Sequence, residues 1–330
     1  MILAKQRLLP LCHGYLDCDF EGNAVRLHRF LPRQRETCLA KGTKALRRCL
    51  ASAGIYLDTV TDSTQLRLHF SAGSASAVSC LGFDLYVDGV FTDKRFFPDW
   101  HIGEVCFPLP GDGRHRVTLY FPWSSAVMPD RLELDENAAA EPVQRPRRGM
   151  VFGDSITQGY SARMPSLAYA SILGRALDAE IINQGVGGFC FDESTLDSAL
   201  ARYDPDFLVI AYGTNDFSKN SDPAVFCANA KAYLDRFREI FSGRKTFAVL
   251  PLFRSDSAVT DPLPDARYTF DDAREMLCGL YADDPDITVI RETGIPHICE
   301  AFAADGVHPT ELGHLYIAKC LAQAIRQKIE

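Results

Sequence analysis

The stretch VFGDSITQGY, residues 151–160, joins a short apolar run to a polar turn. The apolar part has the character of a buried strand, which would end at Gly153-Asp154-Ser155. A serine at a strand-to-helix junction is a favoured helix N-cap, but a serine hydroxyl can also be the nucleophile of acyl transfer. The rest of the chain decides between these two interpretations of Ser155.

Near-continuous apolar runs recur through the second half of the chain and alternate with helical patterns. The apolar runs are GMVFGDS (149–155), EIINQGV (180–186), PDFLVIAYG (205–213), TFAVLPLF (246–253) and ITVIRE (287–292). The helical patterns cover 167–178, 223–241, 272–282 and 308–329. Runs of this kind are typical of strands buried on both faces, and their alternation with helices predicts a parallel sheet covered by helices. We therefore expect an α/β domain over residues 141–330.

The first half of the chain has a different rhythm, with short runs of alternating polarity. These runs are TQLRLHF (64–70), GFDLYVDGVF (82–91), GEVCFPLP (103–110) and HRVTLYFPW (115–123). The Asp88-Gly89 pair between apolar flanks indicates a two-residue hairpin. Segment 37–54 has a helix-forming composition, but the β pattern around it argues against a helix there. The prediction for residues 1–140 is an antiparallel β-sandwich.

Composition sets the class of protein and the kinds of partner. With 330 residues, 47% of them hydrophobic and 24% charged, the chain is typical of a globular protein with two domains. The net charge of −8 argues against nucleic acid as a partner, since binding to phosphates needs a basic face. The eleven cysteines are evenly spread, without a CxxC pair, which indicates reduced thiols. The apolar runs are too short for a signal peptide or a membrane span, so we expect a cytoplasmic protein with no membrane partner.

Small and polar residues follow the apolar runs at the ends of the predicted strands. These sets are Gly153-Asp154-Ser155, the stretch 183–188, Gly213-Thr214-Asn215-Asp216, and ADGVHPT with Asp305 and His308. Ligands bind at the carboxyl ends of the strands in sheets of this type. All four sets are therefore expected to meet at one edge of the sheet.

The residue types at that edge fit acyl transfer. Ser155 needs a base, and the pKa of histidine suits His308 to this task at neutral pH. Asp305, three residues earlier, can hold the other ring nitrogen of His308. Three groups could donate hydrogen bonds to a developing oxyanion: the backbone N–H of Ser155, the backbone N–H of Gly188 and the side-chain amide of Asn215.

The blocks GDSIT, NQGVGG, GTND and DGVH resemble, in this order, the four blocks of the SGNH (GDSL) hydrolase superfamily. The resemblance implies that Ser155 is the nucleophile, His308 the base and Asp305 the third member of a catalytic triad. It also implies that Ser155, Gly188 and Asn215 form the oxyanion hole, and that the domain has the three-layer, flavodoxin-like fold of that superfamily. Neither a metal nor a cofactor is expected.

The stretch GFDLYVDG, residues 82–89, resembles the G-x-D-L-Y signature of a jelly-roll-like β-sandwich that precedes SGNH domains in certain bacterial esterases. Two-domain carbohydrate esterases have a similar layout. The resemblance implies a serine esterase that hydrolyses short acyl esters, above all acetyl esters, of a carbohydrate or another small polar alcohol. Two alternatives stay open: an acyltransferase with the same triad, and a catalytically silent carbohydrate-binding protein. The sequence leaves the oligomeric state open.

Other motifs carry less weight. The G-x-S-x-G elbow of α/β-hydrolases does not fit, because Thr157 stands in place of the second glycine. A metal site formed by His308 and His314 is not supported. The two side chains do not share a helix face, since six helical residues turn through about 600°. Two aromatic or basic side chains are candidates for substrate contact. Trp123, a stronger candidate than Trp100, follows the last predicted strand of the sandwich, and Arg254 follows the run 246–253.

Overall fold

The computed structural model describes residues 1–73, 75–77, 81–97, 103–260 and 267–329. The chain divides into two compact units, Met1–Pro146 with Met164–Ser166, and Arg147–Arg163 with Leu167–Glu330. The cysteines in the described ranges are free thiols. None of the helices in these ranges combines the length and the apolar character needed to cross a membrane.

The first unit contains two large antiparallel sheets and a small sheet of two antiparallel strands, Asp17–Glu21 and Ala24–His28. Its strands are β1 (Ile2–Ala4), β2 (Cys12–His13), β3 (Asp17–Glu21), β4 (Ala24–His28), β5 (Tyr56–Thr61), β6 (Gln65–Ala72), β7 (Leu81–Val87), β8 (Val90–Phe97), β9 (Gly103–Pro108), β10 (His115–Tyr120), β11 (Val127–Glu133) and β12 (Glu141–Pro142). One sheet has the order β1-β11-β6-β9, and the other has the order β12-β5-β10-β7-β8 with β2 beside β5. Inward-facing side chains of both sheets form one core, which includes Leu66, Leu68 and Phe107 from the first sheet and Leu57, Phe83 and Leu119 from the second. This arrangement confirms the predicted antiparallel sandwich.

The predicted hairpin at Asp88-Gly89 is confirmed. Both residues have positive φ angles, 50° for Asp88 and 79° for Gly89, as a two-residue hairpin turn requires. The run 82–91 therefore comprises parts of two strands, β7 and β8, which pair antiparallel on either side of the turn.

The doubt about a helix in segment 37–54 was wrong. The structure has two helices in this region, α1 (Pro32–Ala40) and α2 (Thr43–Leu50). Pro32 occupies the first turn of α1, where its missing N–H costs nothing, and the side chain of Gln34 accepts a hydrogen bond from the N–H of Leu31 at 3.0 Å. These helix-start signals lie before residue 37, outside the segment on which the expectation rested.

The second unit contains a five-stranded parallel sheet with helices on both faces. The strands are β13 (Arg147–Gly153), β14 (Ala179–Gly185), β15 (Phe207–Ala211), β16 (Thr246–Val249) and β17 (Ile287–Ile290), in the order β14-β13-β15-β16-β17. The helices are α3 (Ser155–Gln158), α4 (Tyr169–Leu177), α5 (Thr214–Lys219), α6 (Pro223–Phe241), α7 (Ser257–Thr260), α8 (Phe270–Ala282) and α9 (Glu311–Ile329). The predicted parallel α/β fold is confirmed.

Alternate residues of β13 face opposite layers of this unit. Val151 belongs to a core shared with Leu173 of α4 and Leu321 of α9. Phe152, on the other face, packs its ring against Phe237 and Phe241 of α6 at centroid distances of 5.4 and 5.8 Å. Burial on both faces explains why the strands of this unit read as continuous apolar runs.

The register of the sheet brings three strand ends to one level. Gly153, the last residue of β13, pairs with Gly185 of β14 and with Ala211 of β15. Gly185 also lies directly beneath α3, where an added Cβ would be 2.4 Å from the backbone N of Gln158 and 2.7 Å from the backbone C of Thr157. The short helix after β13 can therefore pack on β14 only if residue 185 lacks a side chain.

We predict that Gly185→Ala destabilises the second unit by about 2 kcal/mol or more, because the methyl group meets backbone rather than a movable side chain. The matched control is Gly279→Ala in α8, where an added Cβ meets nothing within 4 Å. This control should stabilise the protein by about 0.5–1 kcal/mol through helix propensity. Thermal unfolding of both variants tests the prediction, and equal midpoints for the two would contradict it.

Candidate active site

Ser155 is the first residue of α3, and its neighbour Asp154 is the N-cap of this helix. Oδ1 of Asp154 accepts a hydrogen bond from the N–H of Ile156 at 2.9 Å. The capping function therefore belongs to Asp154, and the Ser155 hydroxyl is available for another contact. Ser155 Oγ lies 2.8 Å from Nε2 of His308, although the two residues are 153 positions apart in the chain.

His308 is held by Asp305 in a tight local turn. Oδ2 of Asp305 lies 2.6 Å from Nδ1 of His308, and Oδ1 accepts hydrogen bonds from the backbone N–H of Val307 at 2.9 Å and of His308 at 3.0 Å. An ionised carboxylate only accepts hydrogen bonds, so Nδ1 of His308 carries a proton and donates it. In the neutral ring, Nε2 is then the acceptor that faces the Ser155 hydroxyl.

The turn also favours the ionised form of Asp305. Burial alone would raise the pKa of Asp305, but the hydrogen bonds from the N–H groups of His308 and Val307 and from the His308 ring outweigh it, and the pKa is lowered. A carboxylate that stays charged can stabilise the imidazolium that forms when His308 takes a proton. Ser155, His308 and Asp305 thus form one hydrogen-bonded chain with the geometry of an activated nucleophile.

Tyr160 supports His308 from one side, a contact that sequence reasoning missed. The rings of Tyr160 and His308 stack with centroids 5.4 Å apart and an interplanar angle of 25°. The carbonyl of Tyr160 accepts a hydrogen bond from Nε2 of His314 at 3.0 Å, and Nδ1 of His314 accepts one from the N–H of Tyr169 at 3.2 Å. Burial lowers the pKa of His314 to about 4 against the hydrogen bond to Tyr160, so this ring is neutral and structural. In the described part of the chain, no group of three or more His, Cys, Asp and Glu side chains is arranged to hold a metal ion.

The structure brings the three predicted hydrogen-bond donors to the same edge of the sheet. Among the described residues, no acceptor bonds the backbone N–H of Ser155 or of Gly188. The side-chain amide of Asn215 donates to Oδ2 of Asp154 at 3.2 Å and to the carbonyl of Phe189 at 3.1 Å. Asn215 therefore lies beside the residue that precedes Ser155, and its amide is oriented by two protein acceptors.

The segment after β14 is fastened to the turn that carries Ser155. The N–H of Val186 donates to the carbonyl of Gly153 at 3.0 Å. The N–H of Gly187 donates to Oε1 of Gln158 at 2.9 Å. These two bonds fix the backbone immediately before Gly188.

Helix α5 fastens the same segment from the other side. Nζ of Lys219 donates to the carbonyl of Gly188 at 2.5 Å, and Oδ1 of Asp216 accepts from the N–H of Phe191 at 2.9 Å. Together with the contact from Asn215 to Phe189, one short helix makes three hydrogen bonds within the segment 188–191. The pattern GTND gave no sign of this helix in the sequence.

Two buried carboxylates lie below these groups. Burial raises the pKa of Asp154 to about 6, against the hydrogen bond from the N–H of Ile156 and the electrostatic interactions with the His308 ring and the Arg254 guanidinium. Burial and the negative charge of Asp154 raise the pKa of Asp216 to about 7, against the hydrogen bond from Phe191. Within the described ranges, Oδ2 of Asp216 has no hydrogen-bond partner. The ionised form of Asp216 is therefore poorly solvated.

The structure buries both candidates for substrate contact. Trp123 is 5% exposed in the first unit, and Trp100 lies outside the described residues. Arg254 is also 5% exposed, and its guanidinium is directed at Asp256 and at α5. Both side chains thus make their contacts inside the protein.

The chain matches a model of a known protein family. A model described as the GDSL-like Lipase/Acylhydrolase family matches residues 151–315. This range begins in β13, includes Ser155 and His308, and extends into α9. No curated protein sequence matches the chain.

Solved structures resemble the chain over both units. The Salicylyl-Acyltransferase SsfX3 from a tetracycline biosynthetic pathway has a TM-score of 0.81 at 19% identity, with 99% of this chain and 98% of that chain covered. The acetyl xylan esterase Est2A from Butyrivibrio proteoclasticus has a TM-score of 0.65 at 15% identity, with 100% and 99% covered. A family two carbohydrate esterase from Clostridium thermocellum, in complex with cellohexaose, has a TM-score of 0.65 at 17% identity, with 84% and 94% covered. At such identities the likeness is one of fold.

We predict that Asp216→Asn changes the pH dependence of stability. The pKa of about 7 means that the folded wild-type protein holds a proton on Asp216 up to about pH 7, whereas the ordinary aspartate pKa of 3.8 applies to the unfolded chain. The wild-type protein therefore loses stability at Asp216 as the pH rises between these values, by at most about 1.4 kcal/mol per pH unit. An asparagine keeps an acceptor for Phe191 and removes this loss.

Chemical denaturation at pH 5, 6 and 7 measures the difference. Relative to wild type, Asp216→Asn should become more stable as the pH rises. The control is Asp271→Asn, which changes the net charge equally at an exposed position in the first turn of α8. Parallel stability curves for wild type and Asp216→Asn would contradict the prediction.

Proposed function

Because the chain belongs to the GDSL-like lipase/acylhydrolase family of serine ester hydrolases, we propose that it hydrolyses short acyl esters, above all acetyl esters, of a carbohydrate or another small polar alcohol. The observation that carries this proposal is the hydrogen-bonded chain from Ser155 through His308 to Asp305. Two structural neighbours that share the fold, the acetyl xylan esterase and the esterase in complex with cellohexaose, support a carbohydrate ester as the substrate.

In the proposed reaction, Nε2 of His308 takes the proton of Ser155 while Oγ attacks the ester carbonyl. The tetrahedral intermediate collapses to an acyl-enzyme, and His308 gives its proton to the departing alcohol. A water molecule then gives a proton to His308 and attacks the acyl carbonyl. As the second tetrahedral intermediate collapses, His308 returns that proton to Oγ of Ser155, and the acid is released. Asp305 keeps the ring in the required tautomer and stabilises the imidazolium in both steps.

The negative charge on the carbonyl oxygen requires donors that are in place before the reaction. In this proposal they are the N–H groups of Ser155 and Gly188 and the side-chain amide of Asn215. The hydrogen bonds from α5 to residues 188–191 support this assignment, because they fix the backbone at Gly188. Loss of one such donor typically lowers turnover by about 100- to 1,000-fold.

An acyltransferase is the second candidate. A full-length structural match to a salicylyl acyltransferase favours it, because that protein has the same two-unit fold. Both reactions share the acyl-enzyme and differ only in whether water or a bound alcohol attacks it. Mass spectrometry of the products with and without an added acceptor alcohol, such as a xylo-oligosaccharide, separates the two.

We predict that Ser155→Ala lowers the rate of p-nitrophenyl acetate hydrolysis by about 10,000-fold or more, because the nucleophile is lost. The variant should also lose labelling by a fluorophosphonate probe. Ser242→Ala, at an exposed position after α6, is the control and should retain both. Labelling that persists in Ser155→Ala would contradict the assignment, and absence of labelling in wild type would favour a silent carbohydrate-binding protein.

We also predict a preference for short acyl chains. The segments that follow the strands near Ser155, residues 153–155, 183–188 and 213–216, consist mainly of small and polar residues. They provide little apolar surface for a long acyl chain, and the binding of such a chain depends on burying each CH₂. p-Nitrophenyl acetate and acetylated xylo-oligosaccharides should be hydrolysed, with release of acetate measured directly. Activity confined to long-chain esters would contradict this part of the proposal.

A further inference from the structure

Arg254 lies in the loop after β16, and its buried guanidinium makes four hydrogen bonds to protein atoms. Nε and Nη2 donate to the two carboxylate oxygens of Asp256, both at 2.7 Å. Nη1 donates to the carbonyl of Thr214 and to Oγ of Ser218, both at 2.8 Å. The guanidinium carbon also lies 5.9 Å from the ring centroid of Phe217. These contacts hold the guanidinium of Arg254 in one orientation inside the protein.

Two of the hydrogen-bond partners of Arg254, Thr214 and Ser218, belong to the helix α5, which also carries Asn215. Thr214 is the first residue of α5 and Ser218 lies one turn later, and Oγ of Ser218 itself donates to the Thr214 carbonyl at 3.1 Å. Asn215, the proposed oxyanion donor, follows Thr214 directly. A shift of the Thr214 peptide would therefore move the backbone from which the Asn215 amide extends.

The same loop is bonded to the turn that carries the proposed base. The N–H of Ser255 donates to the carbonyl of Gly306 at 2.8 Å. Gly306 stands between Asp305 and His308, and an added Cβ there would be 2.9 Å from Oγ of Ser255 and 3.0 Å from the N of Asp256. Three consecutive residues, Arg254, Ser255 and Asp256, thus contact both α5 and the turn at residues 305–308.

From these contacts we propose that Arg254, clamped by Asp256, is a positioning residue that sets the Asn215 amide relative to His308 and Ser155. It acts on the reaction through Thr214 rather than by touching the substrate. This inference rests on the proposed function of Ser155, His308 and Asn215. The bidentate contact requires the planar fork of arginine, and the compact ammonium of lysine cannot make both bonds to Asp256 while reaching Thr214.

The expected effect is on turnover. An oxyanion donor helps only where it meets the developing charge, and a misplacement of about 1 Å can cost about 100-fold in rate. We expect Arg254→Gln to lower kcat for p-nitrophenyl acetate by about 10- to 100-fold while KM changes by less than about threefold. Arg254→Lys should lie between Arg254→Gln and wild type.

A double-mutant cycle with Asn215→Ala tests the route of action. If Arg254 acts through Asn215, then adding Arg254→Gln to Asn215→Ala should lower kcat by less than about twofold further. The control is Arg238→Gln, which breaks a 2.7 Å ion pair with Asp284 near the end of α6 and should leave kcat unchanged. Thermal unfolding of each variant confirms that it is folded at the assay temperature. If Arg254→Gln does not fold, Asp256→Asn takes its place in the cycle, because it removes the bidentate contact and leaves Arg254 in place.

Several outcomes overturn the inference. Fully multiplicative effects in the cycle would mean that Arg254 acts independently of Asn215, and a raised KM with unchanged kcat would mean substrate contact. Rates of fluorophosphonate labelling are measured on the same variants, since labelling depends on Ser155 and the oxyanion donors but not on the natural ester. If the wild-type protein reacts with the fluorophosphonate probe but does not hydrolyse acetyl esters, only the proposed substrate class is contradicted. The double-mutant cycle is then evaluated from the labelling rates instead of kcat. A wild-type protein that does neither contradicts the reaction, and the positioning role with it.

Discussion

The parallel pairing of β13 with both β14 and β15 is the constraint on which the site depends. It places Gly153, Gly185 and Ala211 at one level, so the segments that follow the three strands start from the same edge of the sheet. Ser155, Gly188 and Asn215 reach this edge without long loops, because each follows the end of its strand by only a few residues. The turn with Asp305 and His308 comes from much later in the chain and contacts that edge through Ser155 and Tyr160.

The groups around the site are held by hydrogen bonds at some cost in stability. Asp154 caps α3 and accepts a hydrogen bond from Asn215, but its carboxyl group is buried. The carboxyl group of Asp216, in α5, is buried as well. Burial raises the pKa of both carboxyl groups, and the negative charge of Asp154 adds to this effect at Asp216. At position 216 an asparagine would keep the acceptor for Phe191, whereas at position 154 it would offer one acceptor oxygen in place of the two that bond Ile156 and Asn215. Functional sites often retain such locally unfavourable groups.

Much of the fold could be predicted from the sequence, because strands buried on both faces have continuous apolar runs and strands buried on one face alternate. The contact between Ser155 and His308 could also be expected from the sequence, because the segments that follow parallel strands meet at a common edge of the sheet. Contacts between loops could not. Arg254 stands after a strand, as a substrate-binding arginine would, and only the conformation of its loop turns it toward Asp256 and Thr214. The stacking of Tyr160 on His308 and the helix hidden in GTND depend in the same way on the path of the backbone, which has no periodic signature. Trp123 is similarly ambiguous, because an aromatic residue after a strand can face the core or the surface.

The acid and the base of the proposed site lie only three positions apart, and their bond to one another forms within a single turn. Because this partnership is local, it needs no other part of the protein to assemble first, and loop closure over so short a distance is fast. The contacts that dock this turn are long-range: His308 bonds Ser155 and stacks on Tyr160, and Gly306 accepts a hydrogen bond from Ser255. During folding, reactivity at Ser155 should therefore arise in one late step, when a preassembled turn docks against a finished sheet, and any motion that lifts this turn would silence the serine without disturbing the pair that serves it.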